Sequence, residues 1–161
     1  MAKTSYAIAL GSNRRHGRHG APPAVLRAAL AALAAQGVEV ERVSAVRSTP
    51  ALGPAGRGFA NAAAVVASDL DPAALLALLK DTERAFGRRA GRRWGPRVLD
   101  LDIILWADGA WGGAGLTVPH PEFRRRGFVL DPLAEIAPGW RDPLTGLTVR
   151  QLRARLRHPR G

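Results

Sequence analysis

Residues 93–105 read Arg93-Trp94-Gly95-Pro96-Arg97-Val98-Leu99-Asp100-Leu101-Asp102-Ile103-Ile104-Leu105, a proline-bearing turn that runs into an apolar stretch broken by two aspartates. The short Val/Leu/Ile-rich run predicts a strand from Val98 to Trp106. Side chains alternate along a strand, so Leu99, Leu101 and Ile103 face a core while Asp100 and Asp102 share the other face. Folding does not favour two adjacent carboxylates unless a cation lies between them. Hard oxygen donors at this spacing suit Mg²⁺, which takes one or two carboxylates and fills its shell with phosphate oxygens and water. The alternative is a pair of solvated aspartates on an exposed strand. The flanking Arg93 and Arg97 weigh toward a ligand site.

Working outward, Tyr6 to Leu10 is a short apolar run closed by Gly11-Ser12-Asn13, which predicts a buried first strand and a turn. Pro22-Pro23 opens an Ala/Leu-rich helix to Gln36, with Gly37 to end it. An imperfect alternation predicts one strand from Val38 into Arg47. Thr49 to Gly58 is a Pro/Gly loop, and Phe59 to Ala67 the next strand. Asp69 or Asp71 caps a helix from Pro72 to Gly87, with Ala74, Leu75, Leu78, Leu79 and Thr82 spaced for one buried face. Arg88 to Arg93 is a basic loop. Beyond Trp106 come a hairpin-like segment over Trp111 to Val118 and helical pieces over Gly127–Ile136 and Val149–Leu156. Strands and helices mix without βα alternation, which predicts an α+β fold with helices on a mainly antiparallel sheet.

The chain has 161 residues, 47% apolar and 23% charged. That is one globular domain with no internal linker, 1–161, its core over about 5–155 and a basic tail over about 150–161. Cysteine is absent, which excludes disulfides, thiolate metal sites and a cysteine nucleophile. There is no apolar stretch of about 18 residues and no leader-like N-terminus, so a cytoplasmic protein without membrane contact is expected. Basic residues outnumber acidic ones 24 to 13, giving +11, and only Lys3 and Lys80 are lysines. Without the five arginines of the tail the body remains basic at +6. An anionic partner follows, whether nucleic acid, acidic lipid or polyphosphate.

A second informative stretch is Leu116-Thr117-Val118-Pro119-His120, followed by Arg124-Arg125-Arg126-Gly127-Phe128. Arginine suits bidentate contact with phosphate oxygens, and a nearby histidine can also donate. A solvated basic loop is the plainer reading, and Phe128 alone would be core. His16, His19 and His158 lack ligand spacing. There is no Walker-type phosphate loop, Gly-x-Gly-x-x-Gly, Gly-x-Ser-x-Gly or His-Glu-x-x-His. A nucleotide here must be held by metal and arginines.

These motifs, taken in order, resemble the 6-hydroxymethyl-7,8-dihydropterin pyrophosphokinase family. Arg93-Trp94-Gly95-Pro96-Arg97 with Leu99-Asp100-Leu101-Asp102-Ile103 carries the resemblance. Ala9-Leu10-Gly11-Ser12-Asn13, Thr49-Pro50-Ala51-Leu52-Gly53-Pro54, Phe59-Ala60-Asn61, Val118-Pro119-His120, Arg126-Gly127-Phe128 and Pro132-Leu133-Ala134-Glu135-Ile136 agree with it. The resemblance implies a ferredoxin-like sandwich and transfer of pyrophosphate from ATP to the hydroxymethyl group of the dihydropterin, leaving AMP, in folate biosynthesis. It implies two Mg²⁺ ions on Asp100 and Asp102. It gives Arg97, Arg88 and His120 catalytic contacts with the triphosphate, shared with Arg126, and puts Glu83 and Trp94 on the ATP side. Phe59 and Phe128 would sandwich the pterin ring, while Asn61 and the backbone around Thr49 and Leu52 read its polar edge.

The chain departs from the family pattern in having Phe59 where tyrosine is frequent, Pro121 after His120, and Gly115 where a phosphate-contacting arginine often stands. Arg89, Arg92, Arg124 or Arg125 are candidates to replace that arginine. The His16–Gly20 segment matches nothing in the pattern. A monomer with ATP and the dihydropterin as its partners is expected. The competing reading, a basic nucleic-acid module, needs strand aromatics for base stacking. Besides its tryptophans only Tyr6 and Phe59 offer them, and the aspartate pair would repel phosphate.

Overall fold

The computed structural model describes residues 3–13, 20–49, 59–87, 98–113 and 115–157. Its centre is an antiparallel sheet of β1 (Thr4–Ser12), β2 (Glu39–Val43), β3 (Arg47–Thr49), β4 (Phe59–Ser68) and β5 (Asp100–Trp106), in the order β2-β4-β1-β5, with β3 also on β4. Helices α1 (Pro22–Ala35) and α2 (Pro72–Gly87) are the crossovers. Helix following β1, a hairpin between β2 and β4, and helix preceding β5 together give the ferredoxin-like α+β arrangement that was expected.

Alternation along the strands builds two cores. Tyr6, Ile8 and Leu10 of β1, Ala62, Ala64 and Val66 of β4, and Leu101 and Ile103 of β5 pack with Val25, Leu26, Leu33, Leu75 and Leu79 of the crossover helices. On the opposite face Ala7, Ala63, Val65, Ile104 and Leu105 meet α3 (Gly127–Ile136) and α4 (Val149–Arg157). A register shift between Ala7 and Ile8 leaves β5 with one extra residue, so Ile104 and Leu105 both reach this second core. α3 and α4 cover only part of this face. The end carrying Phe59, Asn61, Gly11 and Asp100 stays open, and the site lies there.

Two expectations need correction. The strand predicted from Val38 into Arg47 is two strands, because Ser44 turns inward: its N–H donates to Ala63 O at 2.9 Å and its Oγ accepts from Ala63 N at 2.9 Å. The buried face of α2 runs through Pro72, Leu75, Leu79, Thr82 and Phe86, and Ala74 is exposed. Asp71 is the cap, its Oδ1 accepting from Ala74 N at 2.8 Å. A small hairpin of β6 (Trp111–Gly113) and β7 (Leu116–Val118) leans on β5 through an edge-on Trp106–Trp111 contact.

Candidate active site

Strand register assembles the floor of the site. Gly11 is paired with Asn61 on one side and Asp100 on the other, and one step along Ala9 is paired with Ala63 and Asp102. Asn61, Asp100 and Asp102 therefore rise beside a floor of Gly11 and Ala9, whose lack of bulk leaves space above it.

That space is divided. A cavity of about 720 Å³ is lined by Gly11, Ser12, Asn13, Phe59, Asn61, Asp100, Arg126 and Phe128. A second, of about 450 Å³, is lined by Lys80, Asp102, Gly115, Thr117, His120 and Pro121 among others. A recess of about 40 Å³ between them touches both aspartates and Arg126. Asp100 thus opens on one chamber and Asp102 on the other.

Phe59 and Phe128, at 50% and 52% exposed, stand in the first chamber rather than in a core. The reading of Phe128 as core is thereby overturned. The Arg126 guanidinium carbon lies 5.7 Å from the centre of the Phe128 ring, which puts Arg126 against the first chamber and the recess. His120 lines the second chamber. Its backbone N–H donates to Ile104 O at 3.0 Å and its Nδ1 accepts from Glu122 N at 3.1 Å, so the neutral ring carries its proton on Nε2. Burial lowers its pKa, against the pull of Asp102.

Burial, then repulsion from Asp100, pushes the Asp102 carboxyl above the usual range, against the pull of Lys80, His120 and Arg126. Among the described residues no group of three or more His, Asp or Glu side chains is placed to hold a metal. Asp100 and Asp102 alone supply two hard carboxylate donors, a chemistry that fits a divalent ion taking its other ligands from substrate oxygens and water.

Two residues of α2 reach the outer edge of β5. Glu83 Oε2 accepts from Leu101 N at 2.6 Å, while Lys80 Nζ donates to Leu101 O at 3.1 Å and to Glu83 at 3.0 Å. Burial pushes the Glu83 carboxyl up. Glu83 thus braces the strand between the aspartates. Lys80 had no role in the sequence reading, and its rarity in an arginine-rich chain was the available signal. Asn13 was also missed: it lines the first chamber, and its buried Oδ1 has no hydrogen-bond partner among the described residues.

Gly115 lies at φ +77°, with open space where a β-carbon would be, so glycine suits the backbone there. Of the candidates to replace the missing arginine, Arg124 is committed elsewhere. Its Nε and Nη2 grip the buried Asp142 at 2.5 and 2.8 Å. Arg125 lies 3.8 Å from Glu122. The sites expected at Arg88, Trp94, Arg97 and Leu52, with Arg89 and Arg92, lie outside the described residues, as do His16, His19 and His158. The Thr49 backbone pairs with Phe59 at the end of β3. Tyr6, a strand aromatic that a nucleic-acid module would need exposed, is fully buried. No helix among the described residues is long and apolar enough to cross a membrane.

The profile of the 7,8-dihydro-6-hydroxymethylpterin-pyrophosphokinase family matches residues 7–138. A 2-amino-4-hydroxy-6-hydroxymethyldihydropteridine pyrophosphokinase of Synechocystis sp. is 45% identical over 128 residues, covering 79% of this chain and 66% of that one. A protein of the same name from Methylorubrum extorquens is 40% identical over 151 residues, covering 92% and 91%. The crystal structure of wild-type Plasmodium falciparum HPPK-DHPS shares the fold, with a TM-score of 0.70 at 13% identity over 98% of this chain and 42% of that one. The chain therefore spans just under two thirds of the Synechocystis relative and less than half of the Plasmodium chain.

Proposed function

Because the chain belongs to the 7,8-dihydro-6-hydroxymethylpterin-pyrophosphokinase family, we propose that it transfers the pyrophosphoryl group of ATP to the hydroxymethyl oxygen of 6-hydroxymethyl-7,8-dihydropterin. The products are AMP and the pterin diphosphate, on the way to folate. The observation that carries this reading is the pair of chambers meeting at Asp100 and Asp102.

The pterin lies in the first chamber, stacked by Phe59 and Phe128, with Asn61 and the backbone near Thr49 and Leu52 on its polar edge. The triphosphate lies in the second and reaches the recess. Arg88, Arg97, His120 and Arg126 hold its oxygens, and Trp94 and Glu83 complete the ATP side, Glu83 by bracing β5. Asp100 and Asp102 would hold Mg²⁺, two ions in this reading, which when bound supplies charge neutralisation and alignment of attacking and leaving oxygens. The hydroxymethyl oxygen attacks the β-phosphorus in line and AMP leaves, arginines offsetting the charge that develops. In this reading the chain acts as a monomer in the cytoplasm, with ATP and the dihydropterin as its partners.

Incubation with ATP, Mg²⁺ and the dihydropterin should yield AMP only when all three are present. The Asp102→Ala variant should lose this by about 10²-fold or more while keeping its fold. AMP released without pterin, or normal turnover in that variant, contradicts the proposal.

A further inference from the structure

We propose that Lys80 is a positioning residue that acts as the resident counter-cation of Asp102, and that its charge sets how strongly this carboxylate takes up divalent metal. The inference rests on the reading of Asp102 as a metal ligand.

Among the described residues β5 is an end strand of the sheet, so no described strand supplies partners for the outward N–H and C=O of Leu101. Lys80 and Glu83, three apart on α2 and so on one helix face, supply both. The Lys80 ammonium stands among three acceptors: Leu101 O at 3.1 Å, Glu83 Oε2 at 3.0 Å and Asp102 Oδ1 at 3.8 Å. A compact ammonium with three donors suits such a tripod, whereas the planar guanidinium fork does not. In this chain all but two of the 24 basic side chains are arginine, so a lysine at this position is the exception.

Lys80 also lines the second chamber beside Asp102. At 31% exposure for both side chains, neither is fully solvated, and their attraction is less screened than at an open surface. A divalent ion approaching Asp102 meets a carboxylate already partly neutralised. Glu83 and the backbone of Leu101 keep the ammonium in place, so the ion must share Asp102 with it. The consequence is weaker metal uptake by the substrate-free chain than the aspartates alone would give.

The test is Mn²⁺ titration of the purified full chain without nucleotide, followed by the electron-spin resonance of free Mn²⁺. Lys80→Met keeps the stem and removes the charge; Lys80→Gln also keeps a donor for Leu101 O. Either folded variant should bind Mn²⁺ tighter, on the order of fivefold, as for losing a unit charge about 4 Å away, and Lys80→Arg should fall between them and the parent. Unchanged or weaker Mn²⁺ binding in both folded neutral variants overturns the proposal and leaves the metal assignment standing. No binding in the parent, or binding that survives Asp102→Asn, overturns the metal assignment itself and the proposal with it.

Discussion

Gly11 stands so close to Asn61 across the β1–β4 pairing that a β-carbon at position 11 would lie 3.3 Å from the Asn61 Oδ1. Gly11 is not among the positive-φ glycines, so its role is to leave room rather than to bend the chain. Alanine is better than glycine in a strand by about 0.5–1 kcal/mol. Gly11→Ala should therefore keep or slightly raise the melting temperature while displacing Asn61 and weakening pterin binding on the order of tenfold. Thermal melts and a fluorescence titration with the pterin check both. Lost stability with pterin affinity intact would contradict the assignment of this floor.

Phe59 and Phe128 are half exposed and line one chamber. Truncating either to alanine should cost little stability and weaken pterin binding by about 1–3 kcal/mol, the scale of stacking plus burial. Calorimetry with the pterin, paired with urea melts of the free variant, separates the two roles.

Asp142 gives a pH dependence. Burial alone would raise its carboxyl, but hydrogen bonds from Arg124, Thr145 and Leu144 outweigh burial and hold it at about 2, below the ordinary 3.8. A depressed folded-state value means the contribution is present above about pH 4 and is lost as pH falls toward 2. It amounts to about 2 kcal/mol. Asp142→Ala should cost about 3 kcal/mol at neutral pH, because Arg124 loses its partner, and should flatten the stability profile between pH 4 and 2. Urea unfolding at stepped pH reads both.

Tyr6 is the chain's single tyrosine. It is fully buried, stacks on Trp106, and donates to Leu70 O at 2.6 Å. Burial pushes its hydroxyl up to about 12. Tyrosinate absorbance should appear near pH 12 in the folded protein and near pH 10 in urea. Ionisation near pH 10 without unfolding would place the ring outside the core.

The aspartate pair was legible because strand alternation is a covalent consequence of the backbone: Asp100 and Asp102 had to share a face, and Leu101 and Ile103 the other. Proline and glycine likewise marked α1, and Asp69 or Asp71 marked the start of α2, a choice that the Ala74 N–H settles on Asp71. The break at Ser44 was not legible, since it depends on hydrogen bonds to Ala63, nineteen positions away. Phe128 could not be told from core by type, because its exposure depends on where α3 stops covering the sheet. The division of the site into two chambers, and the commitment of Arg124 to Asp142, are tertiary facts that no local pattern carries.

The central claim is that two phosphoryl units move together onto the pterin. Phosphorus NMR of a reaction run to completion with ATP, Mg²⁺ and 6-hydroxymethyl-7,8-dihydropterin tests it most directly. The account predicts AMP and a pterin carrying two coupled phosphorus signals, in equal amounts. ADP with a singly phosphorylated pterin, or free pyrophosphate with the pterin unchanged, would contradict it.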